Sequence, residues 1–209
     1  MIRKKLFFFG LWLVVAGSLM LSSCTKNDEN TIVVIGTEYY IDDILTAVPD
    51  SLQGQFFAAF GDVPRGDIPP KIEGSYVVDP KQRVSSNLSN WPSNTIEPNV
   101  YLRFSKQHNG IVNMDLNETT ETVTDTVFVC GNGNNFTVYF VEDKDYEIGW
   151  MKRGVLMKGK VTADGIADFR YATIVMETED YSGGQFGLYP VGSYFIYKDG
   201  DGLAQNIDW

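Results

Sequence analysis

From Ile72 to the end of the chain the hydrophobic period is two, and a chain that alternates this way over most of its length buries its apolar residues as a β-sheet. The runs are Lys71 to Asp79, Asn99 to Lys106, Ile111 to Asn117, Thr120 to Cys130, Phe136 to Glu142, Tyr146 to Val161, Ile166 to Glu177 and Val191 to Lys198. Turn formers separate them: His108-Asn109-Gly110, Gly131-Asn132-Gly133-Asn134-Asn135, Asp164-Gly165 and Ser182-Gly183-Gly184. The expected fold is mainly β, an antiparallel meander of about eight strands spanning 71–209. A sheet of that size with one apolar face tends to close, because closure removes the exposed edges. The two faces are not alike all the way round. Phe136 to Val141 is apolar or aromatic on both, while Thr120 to Thr126 is nearly polar on both.

Aromatic residues are concentrated in these strands, and their first use is to fill the core. Eight strands are just wide enough to leave a lumen, and the residues expected to line one are Tyr76, Trp91, Tyr101, Tyr139, Trp150 and Tyr171. Trp91 lies in the long Pro80 to Pro98 connection, which reads as an open loop. Lys71-Ile72-Glu73-Gly74-Ser75-Tyr76 resembles the Gly-x-Trp start of lipocalin-like (calycin-like) barrels, with Tyr76 in place of Trp. Strand order and spacing over 71–198 are similar as well. The resemblance implies a cup-shaped barrel that takes a small apolar or amphipathic molecule at its open end. The alternative is a surface assembly or glycan-binding component with no internal ligand, in which Trp91, Tyr181, Tyr189 and Trp209 are exposed on loops as a stacking platform.

Ahead of the alternating region, residues 37–61 have helical spacing. Thr37 can cap a helix whose Ile41, Ile44, Leu45 and Val48 share one face, and Pro49 ends it. Asp50 and Gln53 form a capping-box-like start for a second helix, with Leu52, Phe56, Ala59 and Phe60 on one face and Gly61 at the stop. Two helices this short are unstable alone, so the hairpin is expected to pack on the β domain. The loop between them and the first strand contains Arg65-Gly66-Asp67; three common residues in a Pro-punctuated turn need no adhesive reason.

The first two dozen residues carry an address. Arg3, Lys4 and Lys5 precede an apolar run from Leu6 to Leu21, the pattern of a secretory leader. Leu21-Ser22-Ser23-Cys24 resembles the bacterial lipobox, which implies a leader over 1–23 and diacylglycerylation of Cys24. The tether over 24–36 begins with polar residues, and its Lys26-Asn27-Asp28-Glu29 resembles the export signal of Bacteroidetes surface lipoproteins. That implies an outer-membrane, cell-surface location, with the membrane as partner through the lipid anchor.

Charge and residue chemistry narrow the remaining classes. Asp and Glu number 27 against 17 Lys and Arg, and the leader takes three of the basic residues with it, so nucleic acid is not an expected partner. Of the two cysteines Cys24 is assigned to lipid, and no disulfide is expected. His108, the single histidine, sits in a hairpin turn, and no positive group near Cys130 in sequence would lower its pKa. The acidic groups Glu142 to Glu147 and Glu177 to Asp180 read as solubilising charge at strand ends. Asp199-Gly200-Asp201-Gly202 lacks the further ligands of a calcium loop and reads as a turn. The expectation is a non-catalytic protein without cofactor or metal site that binds a small molecule or glycan.

Overall fold

The alternating region forms one antiparallel sheet of eleven strands, preceded by two short helices. The computed structural model describes residues 41–118, 121–180 and 187–209. The leader, Cys24, the tether, Thr37, Tyr181 and the Ser182-Gly183-Gly184 turn lie outside these residues. The strands are β1 (Gly74–Val78), β2 (Lys81–Ser86), β3 (Ile96–Glu97), β4 (Val100–His108), β5 (Ile111–Glu118), β6 (Glu121–Asn132), β7 (Asn135–Tyr146), β8 (Gly149–Val161), β9 (Gly165–Asp180), β10 (Tyr194–Asp199) and β11 (Leu203–Asn206).

Pairing follows the chain from β4 through β9, and β11 then bonds both β9 and β1, so the hydrogen bonding returns on itself as a ring. β2 pairs with β10 as a continuation of the β1–β11 pairing. The two lines are broken opposite each other, at the cis Asp79-Pro80 peptide and at residues 199–202. Asp199 joins the breaks: one carboxylate oxygen accepts the Asp79 N–H, and the other accepts the N–H groups of Asp201, Gly202 and Leu203. The Asp199 to Gly202 turn is thus held by its own aspartate, a local alternative to ladder hydrogen bonds.

Three expectations change. The Pro80 to Pro98 connection contains β2 and β3, and the last strand continues after its break as β11. β2 escapes a periodicity reading because its buried positions are Lys81 and Arg83, which invert the usual pattern. Tyr146 ends β7 instead of opening β8, so Glu142 and Asp143 are strand residues.

The core has two parts. Inside the ring, alternate residues such as Phe104, Met114, Val138, Met157 and Phe169 are buried together. At the end where β1 begins, the chain closes the ring itself. Ile72 is fully buried there, its N–H bonds Gln107 Oε1, and the Tyr76 hydroxyl donates to its carbonyl oxygen at 3.0 Å.

Helices α1 (Ile41–Thr46) and α2 (Asp50–Phe60) cover the outer face of β6 to β10. Their apolar residues are the ones expected from spacing: Ile41, Ile44, Val48, Phe56 and Phe60 are buried against Tyr139, Leu156, Ile174, Tyr194 and Ile196. Phe56 meets Tyr194 edge to face at 5.3 Å. Pro49 stands at the N-cap of α2 with Asp50 as its first residue, and Gln53 Nε2 donates to Asp50 Oδ1 at 3.1 Å. The last turn of α2 has no basic residue of its own. Arg170 and Lys158, on the sheet, donate to the carbonyl oxygens of Ala59 and Asp62, placing cations where the helix dipole favours them. This half of the outer face is apolar because helices lie on it, which explains why Phe136 to Val141 is apolar on both sides.

The Arg65-Gly66-Asp67 tripeptide is used in the same packing. Arg65 makes two hydrogen bonds to Asp42 of α1, at 2.6 and 3.1 Å. The Gly66 carbonyl accepts the Gly131 N–H at 3.0 Å, and Asp67 forms a β-bridge to Gly131. A side chain at Gly66 would meet the Gly131 carbonyl oxygen at 2.5 Å.

Candidate functional site

At the end of the ring opposite Ile72 the inward positions change from apolar to charged. In β7 the buried series Phe136, Val138, Phe140 continues as Glu142 and Lys144; in β8 the series Met157, Val155 continues as Arg153; in β5 Met114 and Leu116 are followed by Glu118. β2 contributes Lys81 and Arg83, 1% and 4% exposed. Glu118, Glu142, Lys144 and Arg153 line a cavity of about 260 Å³ whose wall also includes Glu97, Pro98, Leu116, Val123, Phe140 and Tyr171, and Lys81 and Arg83 stand behind Glu118 and Glu97.

Each of the three carboxylates is paired with a cation. Lys81 bonds Glu118 and lies 3.6 Å from Glu97; Arg83 bonds Glu97; Arg153 bonds Glu142 at 2.6 Å. Aromatic rings complete the shell. Lys81 Nζ lies 4.4 Å from the Tyr197 ring centroid, and the Arg83 guanidinium lies 4.5 Å from that of Trp91. Trp91 packs edge-on against Phe195 and Tyr189, with centroids at 5.3 and 6.0 Å. Tyr171 stacks on Tyr197 at 5.7 Å.

Burial and charge tune these groups. Burial and the neighbouring Arg83 pull Lys81 down to about 8, against the two carboxylates beside it. Burial pushes the Tyr171 phenol up, and Glu142 adds to the shift. Burial likewise raises Tyr189 and Tyr197. Burial works against the charge on Arg153, but Glu142, Tyr171 and Tyr146 together outweigh it and push the guanidinium above its ordinary value. The Nε atoms of Arg83 and Arg153 are buried without a hydrogen-bond acceptor, an uncommon condition for a guanidinium. Ion pairs taken out of water contribute little to net stability, so a cluster of them at one end of the ring is better suited to recognition than to holding the fold.

The structure distributes the six aromatic candidates over different surroundings. Tyr76 and Tyr171 are inside the ring, Tyr76 toward the closed end and Tyr171 on the cavity wall. Trp91 is half-buried against the inner cluster beside Arg83. Tyr139 faces outward beneath the helices, stacked on Phe128 at 5.3 Å. Tyr101 is exposed next to Trp209, and Trp150 is half-buried with Lys152 5.4 Å from its ring. Tyr171 and Trp91 are therefore the two that join the charged end.

The cations and carboxylates were missed by motif reading, although their signal is present. Extending each strand's buried parity past the last apolar residue lands on Glu118, Glu142, Lys144 and Arg153. His108 is exposed at the end of β4, beside the Asn109-Gly110 turn, with Nδ1 2.8 Å from the Lys106 carbonyl oxygen, and the buried Cys130 thiol lies 3.6 Å from that of Pro64. Among the described residues no three His, Cys, Asp or Glu side chains are grouped to hold a metal ion, and no helix is long and apolar enough to cross a membrane. Comparison with protein families, with characterised proteins and with solved structures finds no match to this chain.

Proposed function

We propose that this is a lipid-anchored outer-membrane lipoprotein, displayed at the cell surface, whose ring of strands is a lipocalin-like barrel binding one small amphipathic molecule. Cys24 carries the anchor. The ligand's polar head takes the place nearest the Glu142–Arg153 and Lys81–Glu118 pairs, and its short apolar part lies against Leu116, Val123, Phe140 and Tyr171. What carries the reading is the joining of a blocked end at Ile72 to an opposite end where Glu97, Glu118, Glu142, Lys144, Arg153 and Tyr171 wall a cavity of about 260 Å³. A volume near the lower limit of small-molecule sites suits a short amphiphile, not a long acyl chain.

The test has two arms. Radiolabelled palmitate incorporated in the native host is expected in the wild type and lost in Cys24→Ala. Native mass spectrometry of the protein released from host membranes is expected to show a small adduct in the wild type and none in Val123→Trp, which fills the cavity and leaves the ion pairs alone. Wild type and Val123→Trp with identical masses beyond the substitution, and no binding of octyl glucoside or other short amphiphiles by calorimetry, would refute the cavity reading. Unlabelled wild type would refute the anchor.

A further inference from the structure

The described residues cover the outer face of the ring on one side only. The helices and the 61–67 loop lie over β6 to β10, whereas the outer face of β4, β5 and the first part of β6 presents Tyr101, Arg103, Asn113, Asp115, Thr124 and Thr126. The C-terminal segment is held beside this face: the Ile207 N–H donates to the Ser75 carbonyl oxygen at 3.0 Å, and the Ser75 hydroxyl donates to the Trp209 carbonyl oxygen at 3.3 Å.

Tyr101 and Trp209 are 39% and 43% exposed, and their centroids are 6.2 Å apart. The Arg103 guanidinium lies 5.2 Å from the Trp209 centroid, and the indole keeps part of its surface open to solvent. Arg103 is itself fixed. Its Nε and Nη2 donate to Asp115 Oδ2 at 2.8 and 2.6 Å, and the Thr124 hydroxyl donates to Asp115 Oδ1 at 2.7 Å. Thr124 and Arg103 together hold the Asp115 carboxyl below the usual carboxylate range, so it is an acceptor at neutral pH. Beside it the Thr126 hydroxyl donates to Asn113 Oδ1 at 3.2 Å.

We propose that this face is a second binding site, distinct from the cavity, and that its ligand is an uncharged polysaccharide. An aromatic pair flanked by fixed amide, hydroxyl and carboxylate groups matches a sugar ring, which offers an apolar C–H face for stacking and a rim of hydroxyls that both donate and accept. The ligand is uncharged because Asp115 neutralises Arg103, and because a protein of net charge −10 repels polyanions. The open face contacts a sugar from one side only, so one unit is held weakly and successive units of a chain add to the affinity. The site stands on the opposite side of the sheet from Glu142 and Tyr171, so it does not depend on what the cavity holds.

The test is native electrophoresis of the detergent-solubilised mature protein in gels cast with glycogen, dextran, mannan or xylan, with heparin as an anionic control. Retardation is expected in at least one neutral gel and not with heparin. Tyr101→Ala and Trp209→Ala are each expected to weaken it several-fold, and the double variant by about tenfold. Tyr101→Phe and Trp209→Phe keep the stacking surface and are expected to retain binding. Unchanged thermal melting of the alanine variants confirms their fold. Absence of retardation in every neutral gel overturns the proposal, as does retardation that survives the double variant or is lost only in Val123→Trp. A wild-type dimer in sedimentation that Trp209→Ala dissociates would place a second copy on this face and would also overturn it.

Discussion

Adding one methyl group at Gly154 should lift the helical hairpin from the sheet. Gly154 faces outward on β8 beneath α1, and a Cβ there would stand 2.3 Å from Ile44 Cγ2, with Cγ1 and Cβ of the same residue at 3.0 and 3.1 Å. Carbon atoms in favourable contact are about 3.5–4.0 Å apart, so α1 would have to retreat by more than about 1 Å, or Ile44 leave its rotamer. Overpacking of this size costs about 1–3 kcal/mol. Ile44 is fully buried, so Ile44→Ala alone costs about 2–5 kcal/mol by cavity formation. In the double variant the new methyl occupies space that Ile44 vacated, and the sum of the single losses should exceed the measured loss by about 1–2 kcal/mol. Urea unfolding followed by far-UV circular dichroism on the four proteins gives the cycle. Gly154→Ala within about 0.5 kcal/mol of wild type, with no coupling to Ile44→Ala, would show that α1 does not rest on β8.

Two further outcomes concern the charged end. Arg83→Met should destabilise the protein by about 3 kcal/mol, because the mostly covered Glu97 carboxylate keeps only Lys81 at 3.6 Å beside it; adding Glu97→Leu should recover most of that loss in denaturant titrations. Lys81 is held at about 8 in the folded chain against 10.5 for a free lysine, so between those values the unfolded chain binds more protons and this residue makes stability rise with pH. From about pH 7 to about pH 9.5 the wild type should gain up to about 2 kcal/mol over Lys81→Met; parallel pH profiles of the two proteins would contradict that.

Much of the architecture can be read from local pattern. The hydrophobic period of two, the Asn-Gly and Asp-Gly turns and the spacing of Ile41, Ile44, Phe56 and Phe60 specify an antiparallel sheet with a helical hairpin, because each depends only on near neighbours and on which face must leave water. β2 could not be read that way. Its inward residues, Lys81 and Arg83, are accepted in the interior because Glu97 of the neighbouring β3 and Glu118 of β5 pair with them, partnerships that exist only once the strands have assembled.

The same division separates what each level determined about function. Sequence alone supplies the lipobox resemblance, the acidic balance and the supply of aromatic rings. Tertiary structure decides which rings matter: Tyr171 joins a charged cavity, Trp91 stacks on Arg83, Tyr139 is spent beneath the helices, and Tyr101 meets Trp209 on an exposed polar face. A strand's alternation says only that two residues lie on opposite sides. Which side becomes the interior and which is roofed by α1 and α2 is set by strands and helices that meet only after the ring has formed.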